Sequence, residues 1–248
     1  MQIKDTGRIA NGLDLVAAFT YAHALDNASN DFSQNAPFWG NSDYDLRRVL
    51  NLALNYQTPT VGARNWIRTI THGWVLANRF SAQSGYPLEI IQTQIVEPDG
   101  AQENYRPDLV PGVPIYLHGR AADVNGEPVP GGWRLNPAAF AAVPTNVDGI
   151  PVRQGTLGRN FVRNPPFYSL NTSVQRSFPI YENLHLNFRV EAFNILNHPN
   201  LSNPDTNFPE DATFGQLVQG TITSIGSYNQ LYAMGSARSL QISLRLQF

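Results

Sequence analysis

Residues Arg238–Phe248 alternate apolar and polar positions without a break, with Leu240, Ile242, Leu244, Leu246 and Phe248 on one face of an extended chain and Ser239, Gln241, Ser243, Arg245 and Gln247 on the other. A period of two predicts a β-strand with two differently solvated faces, and about nine to eleven residues is the strand length that crosses a bilayer at a barrel's tilt. The same period recurs upstream. Leu13–His23 places Leu13, Leu15, Ala17, Phe19 and Tyr21 together, and Leu46–Tyr56 does the same with Leu50, Leu52, Leu54 and Tyr56. Gly73–Ser84 aligns Trp74, Leu76, Phe80 and Ala82, and Leu184–Leu196 aligns Leu184, Leu186, Phe188, Val190 and Ala192. Phe167–Phe178 forms a further strand, and Gln2–Ile9 forms the first. Asn11-Gly12 joins the first two strands, and this dipeptide predicts a type I′ hairpin with positive φ at both central residues.

The connections alternate in length. Asn11-Gly12 and Pro179–Asn183 are short and the Thr-, Pro- and Gly-rich connection between Tyr56 and Gly73 is of medium length, whereas Asp26–Asp43, Glu97–Pro166 and Asn197–Ala237 are long. The Gly73–Ser84 strand can extend past Gly85-Tyr-Pro87 to about Ile95, and Glu97–Pro166 reads as one very long loop without period, apart from a helical turn or two at Asn136–Ala142. Outer-membrane barrels have short periplasmic turns and long extracellular loops, so this order puts Phe248 at the periplasmic rim. Tyr56, Trp74, Phe178 and Phe248 end at that same rim and predict an aromatic girdle, against the alternative of aromatics ending the strands of a soluble β protein. Three residues on the apolar face resist. Arginine costs about 2 to 4 kcal/mol at a bilayer midplane but only about 0 to 1 near an interface. Arg176 lies two residues from its strand end and can snorkel, and a bulge or a headgroup phosphate can accommodate Arg48 at the outer end. Asn78 lies nearer mid-strand, where the sequence offers only a neighbouring protomer or a slipped register.

Composition sharpens this reading. Charged residues are 15% of the 248, below the usual quarter, while aromatics reach 11%. With a mean hydropathy of -0.27, that balance is what alternating apolar and neutral polar positions produce. No apolar run is long enough for a helical span. A net charge of -2 with scattered Lys and Arg leaves no footprint for nucleic acid. The absence of cysteine removes disulfides, thiolate metal sites and cysteine nucleophiles. No apolar segment follows Met1-Gln-Ile-Lys, so the chain shows no signal peptide.

Candidate chemistry is sparse. His23, His72, His118, His185 and His198 lack ligand spacing, so no metal site is expected. Asp43 with Asp45, and Asp26 near Asp31, lack the glycine and spacing of a calcium loop and read as solvated surface. Asn194-Ile-Leu-Asn-His198 reads as rim hydrogen bonding rather than a catalytic motif. No nucleophile elbow or phosphate-binding loop occurs, so neither an enzyme nor a cofactor is expected. Asp14, Arg79, Asn171, Gln175, Arg189, Glu191, Gln241 and Arg245 share the polar faces and predict the wall of a hydrated lumen.

Three blocks then resemble a known family. Leu157-Gly-Arg-Asn-Phe161 leading into Pro166-Phe-Tyr-Ser-Leu-Asn-Thr-Ser, Phe188-Arg-Val-Glu-Ala-Phe-Asn-Ile-Leu-Asn-His-Pro-Asn200, and the Phe-terminated last strand resemble the C-terminal part of Oar-like TonB-dependent outer-membrane receptors. Tyr21–Asn27, Gly40–Asp45 and Gln83–Pro87 fit the same family more loosely. The resemblance implies an all-β, antiparallel transmembrane barrel of roughly 22 strands with long extracellular loops. Residues 1–248, with about seven strands, would be the C-terminal part of such a barrel and so a fragment of a longer product, without the plug. It further implies contact with outer-membrane lipid, recognition of Ile242, Leu244, Leu246 and Phe248 by the barrel-assembly machinery, and TonB coupling only through a plug outside this chain. The expected function is energised ligand uptake or surface recognition. The alternatives are a non-transporting structural or adhesive barrel and, more weakly, a secreted glycan-binding β domain. The alternation makes one direct prediction: Leu244→Arg impairs membrane assembly far more than Ser243→Arg, measured by recovery of folded protein from outer membranes, and equal tolerance would show that the assigned face is wrong.

Overall fold

The alternating segments form one antiparallel sheet in the computed structural model, which describes residues 1–27, 29, 39–59, 67–68, 71–96, 102–119, 121–123, 125–129, 132–208, 213–217 and 237–248. Its seven strands are β1 (Gln2–Ala10), β2 (Leu13–Tyr21), β3 (Arg48–Gln57), β4 (Trp74–Gln83), β5 (Phe167–Tyr181), β6 (Leu184–Phe193) and β7 (Ser239–Gln247). They pair strictly in chain order, the meander that alternating long and short connections require. The sheet is open: β1 and β7 are its edges, and both run from the long-loop end to the short-turn end.

Register makes the period-two faces continuous. Phe19, Leu50 and Ala82 share a row, as do Ala17, Leu52 and Phe80. Further along, Leu76 pairs Val174, Val174 pairs Val190, and Val190 pairs Ile242. Directly opposed residues in antiparallel strands point to the same face, so the apolar positions of β2 through β7 form one surface, interrupted within the strands by Asn78 with Thr172 and, at its edges, by Arg48 and Arg176. The β1 edge departs from it, because Asp5 and Gly7 pair with Ala17 and Leu15 on that face. The other face carries Asn51, Asn55, Arg79, Ser81, Asn171, Gln175, Arg189, Gln241 and Arg245.

Asn78, left without explanation by the sequence, lies directly opposite Thr172, whose hydroxyl donates to Asn78 Oδ1 at 2.8 Å. Two polar side chains in an otherwise apolar row thus satisfy each other across the strands. The hairpin at Asn11-Gly12 forms, but not as a type I′ turn. Only Gly12 takes positive φ (76°), and the register shifts by one between Arg8 and Ala10 to absorb the difference. The Gly12 carbonyl also accepts from the Gln57 amide at 2.7 Å, and a Cβ on Gly12 would stand 2.6 Å from Gln57 O.

The largest departure from the sequence reading is in the connections. The β4 strand stops at Gln83 instead of running toward Ile95, and the segment expected to be one structureless loop folds. Pro87–Leu88 pairs with Val162–Arg163, Thr93–Val96 with Gln102–Tyr105, Asp108–Leu109 with Phe140–Ala141, and Tyr116–Leu117 with Arg134–Leu135. The helical turn expected near Asn136 is a 3-10 turn at Pro137–Ala139, with the Asn136 side chain accepting from Ala138 N. These ribbons enclose their own core of Leu88, Ile90, Trp133, Leu135, Phe140, Leu157 and Val162 with Phe208, Phe214 and Leu217 from the next long loop. The ribbons are two to four residues long, too short for a periodic signal, so the period-two test passed over them.

Gly12→Ala combines a left-handed φ with a backbone clash and is expected to destabilise the sheet by more than about 1 kcal/mol. Reversible urea unfolding of the protein in lipid vesicles measures this, with Gly7→Ala, where nothing lies within 4 Å of the new Cβ, as the control.

Candidate functional site

The long-loop end of the sheet carries a cap made from three connections. The two longest are stitched together by the Ile91 amide donating to Thr206 O at 3.1 Å, the Phe208 amide donating to Ile91 O at 2.8 Å and the Leu135 amide donating to Gly215 O at 2.9 Å. Gly215 is required there: its φ is 76°, and a Cβ would lie 2.6 Å from Leu135 O. Arg134, buried in the cap, donates to Ala122 O at 2.7 Å and Phe214 O at 2.9 Å, so a guanidinium bridges the two loops through carbonyls. Tyr116 packs against Trp133 with ring centroids 5.8 Å apart, and its hydroxyl accepts from the Arg163 amide at 2.9 Å.

The third connection, between β2 and β3, is held by the Leu157-Gly-Arg-Asn-Phe161 block. Asn160 takes a left-handed φ of 53°. That turn lets its side-chain amide donate to Asn41 O at 2.9 Å and Asp43 Oδ1 at 2.6 Å, while Asn41 Nδ2 donates back to Asn160 O at 2.9 Å. Arg159 donates to the Asp26 carbonyl at 2.6 Å and forms an ion pair with its carboxylate. Arg163 pairs with the Asp45 carboxylate and donates to Asp45 O at 2.9 Å. Asp45 is fully buried; it also accepts from Ala24 N at 2.8 Å and Arg47 Nε at 2.6 Å. Burial pushes its carboxyl up, but the hydrogen bonds from Arg47, Ala24 and Arg163 outweigh that and hold it below the ordinary value. Arg106 and Glu89 form a second buried pair at 2.8 Å, and Glu89 also accepts from the Asn160 amide at 3.1 Å.

Of the carboxylates expected to be solvated, Asp45 is fully buried and Asp26 and Asp43 are half-buried, all three binding groups of their own chain, and Asp31 lies outside the described residues. Among the described residues no group of His, Asp and Glu has the arrangement of a metal site. Asn194 and His198 act at the rim. Asn194 Nδ2 donates to His198 O at 2.9 Å, the Asn194 amide donates to Asn171 Oδ1 at 2.9 Å, and the His198 ring stacks on Tyr168 at 3.5 Å.

At the opposite, short-turn end, Trp74 meets Phe178 and Phe188 edge-on, each with centroids 6.2 Å apart, and the Arg176 guanidinium lies 4.4 Å from Phe178 and 5.5 Å from Trp74. Tyr56 shares this end, pairing with Leu76 and Leu13. Phe248 follows β7 there and is almost wholly exposed, as are the outward faces of Ile242, Leu244 and Leu246 to about two-thirds. At the loop end the apolar face carries Tyr21, aligned with that face in the sequence, and Tyr168. Tyr168 and Phe178 are ten residues apart on β5, about 33 Å along a strand and about 25 Å at a tilt near 40°, the height of the apolar band of an outer-membrane barrel.

All eight residues expected to wall a lumen lie on the polar face. Arg79, Asn171 and Glu191 line a concavity of ≈ 330 Å³ with Ala53 and Ala77, and Gln175, Arg189 and Arg245 line a second of ≈ 480 Å³ nearer the turns. Asp14 stands apart, near the β1 edge, beside Arg8 at 3.3 Å. The cap residues Arg159, Asn160, Arg163 and Asp45 were missed as a site. Arg159 and Asn160 lie in the Leu157–Phe161 block and Asp45 ends the Gly40–Asp45 block, segments singled out by resemblance alone, which says nothing of what the residues touch.

Among protein families, the outer membrane beta barrel domain matches residues 1–241, so the chain belongs to that family and resides in the outer membrane. No curated protein and no solved structure matches it.

Two predictions follow from the cap and the apolar face. Arg153 holds Asp108 down to about 2 from the ordinary 3.8 through a two-bond pair at 2.7 and 2.9 Å, with the Thr156 amide adding to it. A carboxyl lowered in the folded state stabilises it above the ordinary value and loses that contribution as pH falls through the folded value. The protection of amides in the cap around Asp108 and Thr156, taken relative to the intrinsic exchange rate at each pH, should thus fall between about pH 4 and about pH 2, and Arg153→Gln should abolish that dependence. On the sheet, Thr172→Val leaves Asn78 without its donor and should cost about 1 to 3 kcal/mol, while adding Asn78→Leu should recover most of it in a double-mutant unfolding cycle.

Proposed function

We propose that this outer-membrane β-barrel chain supplies part of the wall and the ligand-contacting cap of a TonB-dependent receptor of the Oar-like kind. In this reading the apolar face meets lipid. Tyr56, Trp74, Phe178 and Phe248 form the periplasmic girdle, Tyr21 and Tyr168 mark the outer rim, and the polar wall faces a hydrated lumen. Ile242, Leu244, Leu246 and Phe248 serve as the signal read by the barrel-assembly machinery. The edges β1 and β7 run in the same direction, so antiparallel closure takes an odd number of further strands, and about fifteen complete a roughly 22-stranded barrel. No covalent chemistry or cofactor belongs to this function, and energy arrives through a plug and its TonB partner.

The observation that carries the proposal is the cap. A buried apolar core, the Arg106–Glu89 pair and the Asp45 network bind three loops into one body above the polar wall. Loops that only linked strands would need no such order, whereas a rigid platform lowers the entropy lost on binding a ligand. A second reading, a non-transporting adhesive barrel, is favoured by Trp39, Tyr44 and Phe161. These are exposed by 73%, 80% and 52% on segments that flank the Asn41–Asn160 clamp.

The two readings separate on the protein isolated from outer membranes. Its mass and sequence should include a plug and a TonB-contacting segment. A mature protein without them would contradict energised transport and leave the adhesive barrel.

A further inference from the structure

The polar face is not evenly built. Ala53 and Ala77 leave it hollow where β3 meets β4, and Asn55, Arg79, Asn171 and Glu191 stand around the hollow of ≈ 330 Å³. Register sets Arg79 directly between Ala53 on one side and Asn171 on the other. Among the described residues the exposed Arg79 guanidinium has no acceptor. Asn171 beside it is fixed in one orientation: its Oδ1 accepts from the Asn194 amide at 2.9 Å and from Ser169 Oγ at 3.2 Å. Its Nδ2 is thereby left as a donor with no acceptor among the described residues. Asn51 repeats the arrangement one pair nearer the loop end, where its Oδ1 accepts from Ser81 Oγ at 3.0 Å.

The carboxylate that lines the hollow does not match these donors, because Glu191 already accepts from Arg189 Nη2 at 2.6 Å. A guanidinium charge and an oriented amide donor therefore face the same space without a counter-charge. A planar guanidinium matches two oxygens of a carboxylate or phosphate with parallel hydrogen bonds, and the neighbouring amide adds a third donor. The volume is that of a small-molecule site. We propose that this hollow binds the oxyanion of a small solute, a carboxylate or a phosphate group, between Arg79 and Asn171. The site rests on the reading that the polar face borders a hydrated lumen, and it holds whether or not the barrel is energised.

The chain has no cysteine, so Ala77→Cys places a single thiol in the floor of the hollow. Its alkylation by iodoacetamide, a small uncharged reagent, is followed by mass spectrometry on the intact protein in bilayers, in chloride, phosphate and acetate at one pH and equal ionic strength. Phosphate or acetate should slow the reaction by about fivefold or more relative to chloride, and the anion that does so at the lower concentration shows which group the site takes. Arg79→Gln should remove this protection. Asn171→Asp should remove it too, since it keeps an oxygen to accept from Asn194 and Ser169 but replaces the Nδ2 donor with a second acceptor. Lys4→Gln, which takes one charge from the same face at β1, should leave the protection unchanged. Arg79→Lys keeps the charge without the planar fork and should weaken protection partially; it replaces Arg79→Gln if the latter shifts the heat-modifiable gel band that reports folding. An equal loss in Lys4→Gln would mean general charge attraction and overturn the site. A thiol that reacts at the same rate in all three salts overturns the site and leaves the hydrated wall standing, whereas a thiol that does not react at all overturns both.

Discussion

The structure depends on one constraint, the pairing of backbone polar groups across strands in a medium that offers them no water. In hydrocarbon an unpaired N–H or C=O costs several kcal/mol, so a chain that crosses a membrane with strands must satisfy its backbone through lateral ladders. Once the ladder is fixed, register decides everything about the two faces, because a slip of one residue would exchange them. The unbroken pairing from β2 to β7 is what turns six separately amphipathic segments into a single apolar surface and a single polar one. Even its polar interruption obeys the register, since Asn78 and Thr172 are tolerable only because they fall opposite each other.

The cap follows a different physics. Its segments lie beyond the ends of the strands, where water is present and short ribbons can pack by burying aromatics and by ion pairing. The Asp45 network shows how this works. A carboxylate with no exposure is stable there because Arg47, Arg163 and the Ala24 amide surround it, and removing any one would leave a buried charge undercompensated. From one stretch of chain, Asn160 with φ of 53°, Arg159 before it and Arg163 after it reach both ends of the β2–β3 connection, at Asp26 and at Asn41 to Asp45.

How much was legible in the sequence divides along the same line. Long strands were read correctly because period two persists over nine or more residues, and in the β7 segment the face assignment is the register itself. The turn-end placement of Tyr56, Trp74, Phe178 and Phe248 also followed from chain order. The cap was illegible because its ribbons of two to four residues carry no period and its core gathers Ile90 and Leu135 with Phe208 and Phe214 across long stretches of sequence. Asn78 failed for a related reason, since its partner Thr172 is 94 positions away. The hairpin at Gly12 was found but mis-specified, because dipeptide preference does not encode the one-residue shift in β1 that changed the turn.

The central claim is that the continuous apolar face meets lipid and the other face meets water. The chain has no cysteine, so single spin labels can be introduced without removing native thiols. Labels placed one at a time at positions 240 to 247 of β7 and 50 to 55 of β3, in the protein reconstituted in bilayers, report collision with dissolved oxygen, which concentrates in lipid, and with a water-soluble nickel chelate. The account predicts a strict alternation, with oxygen favoured at Leu240, Ile242, Leu244, Leu50, Leu52 and Leu54 and the chelate favoured at Gln241, Ser243, Arg245, Asn51, Ala53 and Asn55. A profile without period two, or one with the two phases exchanged, would contradict it.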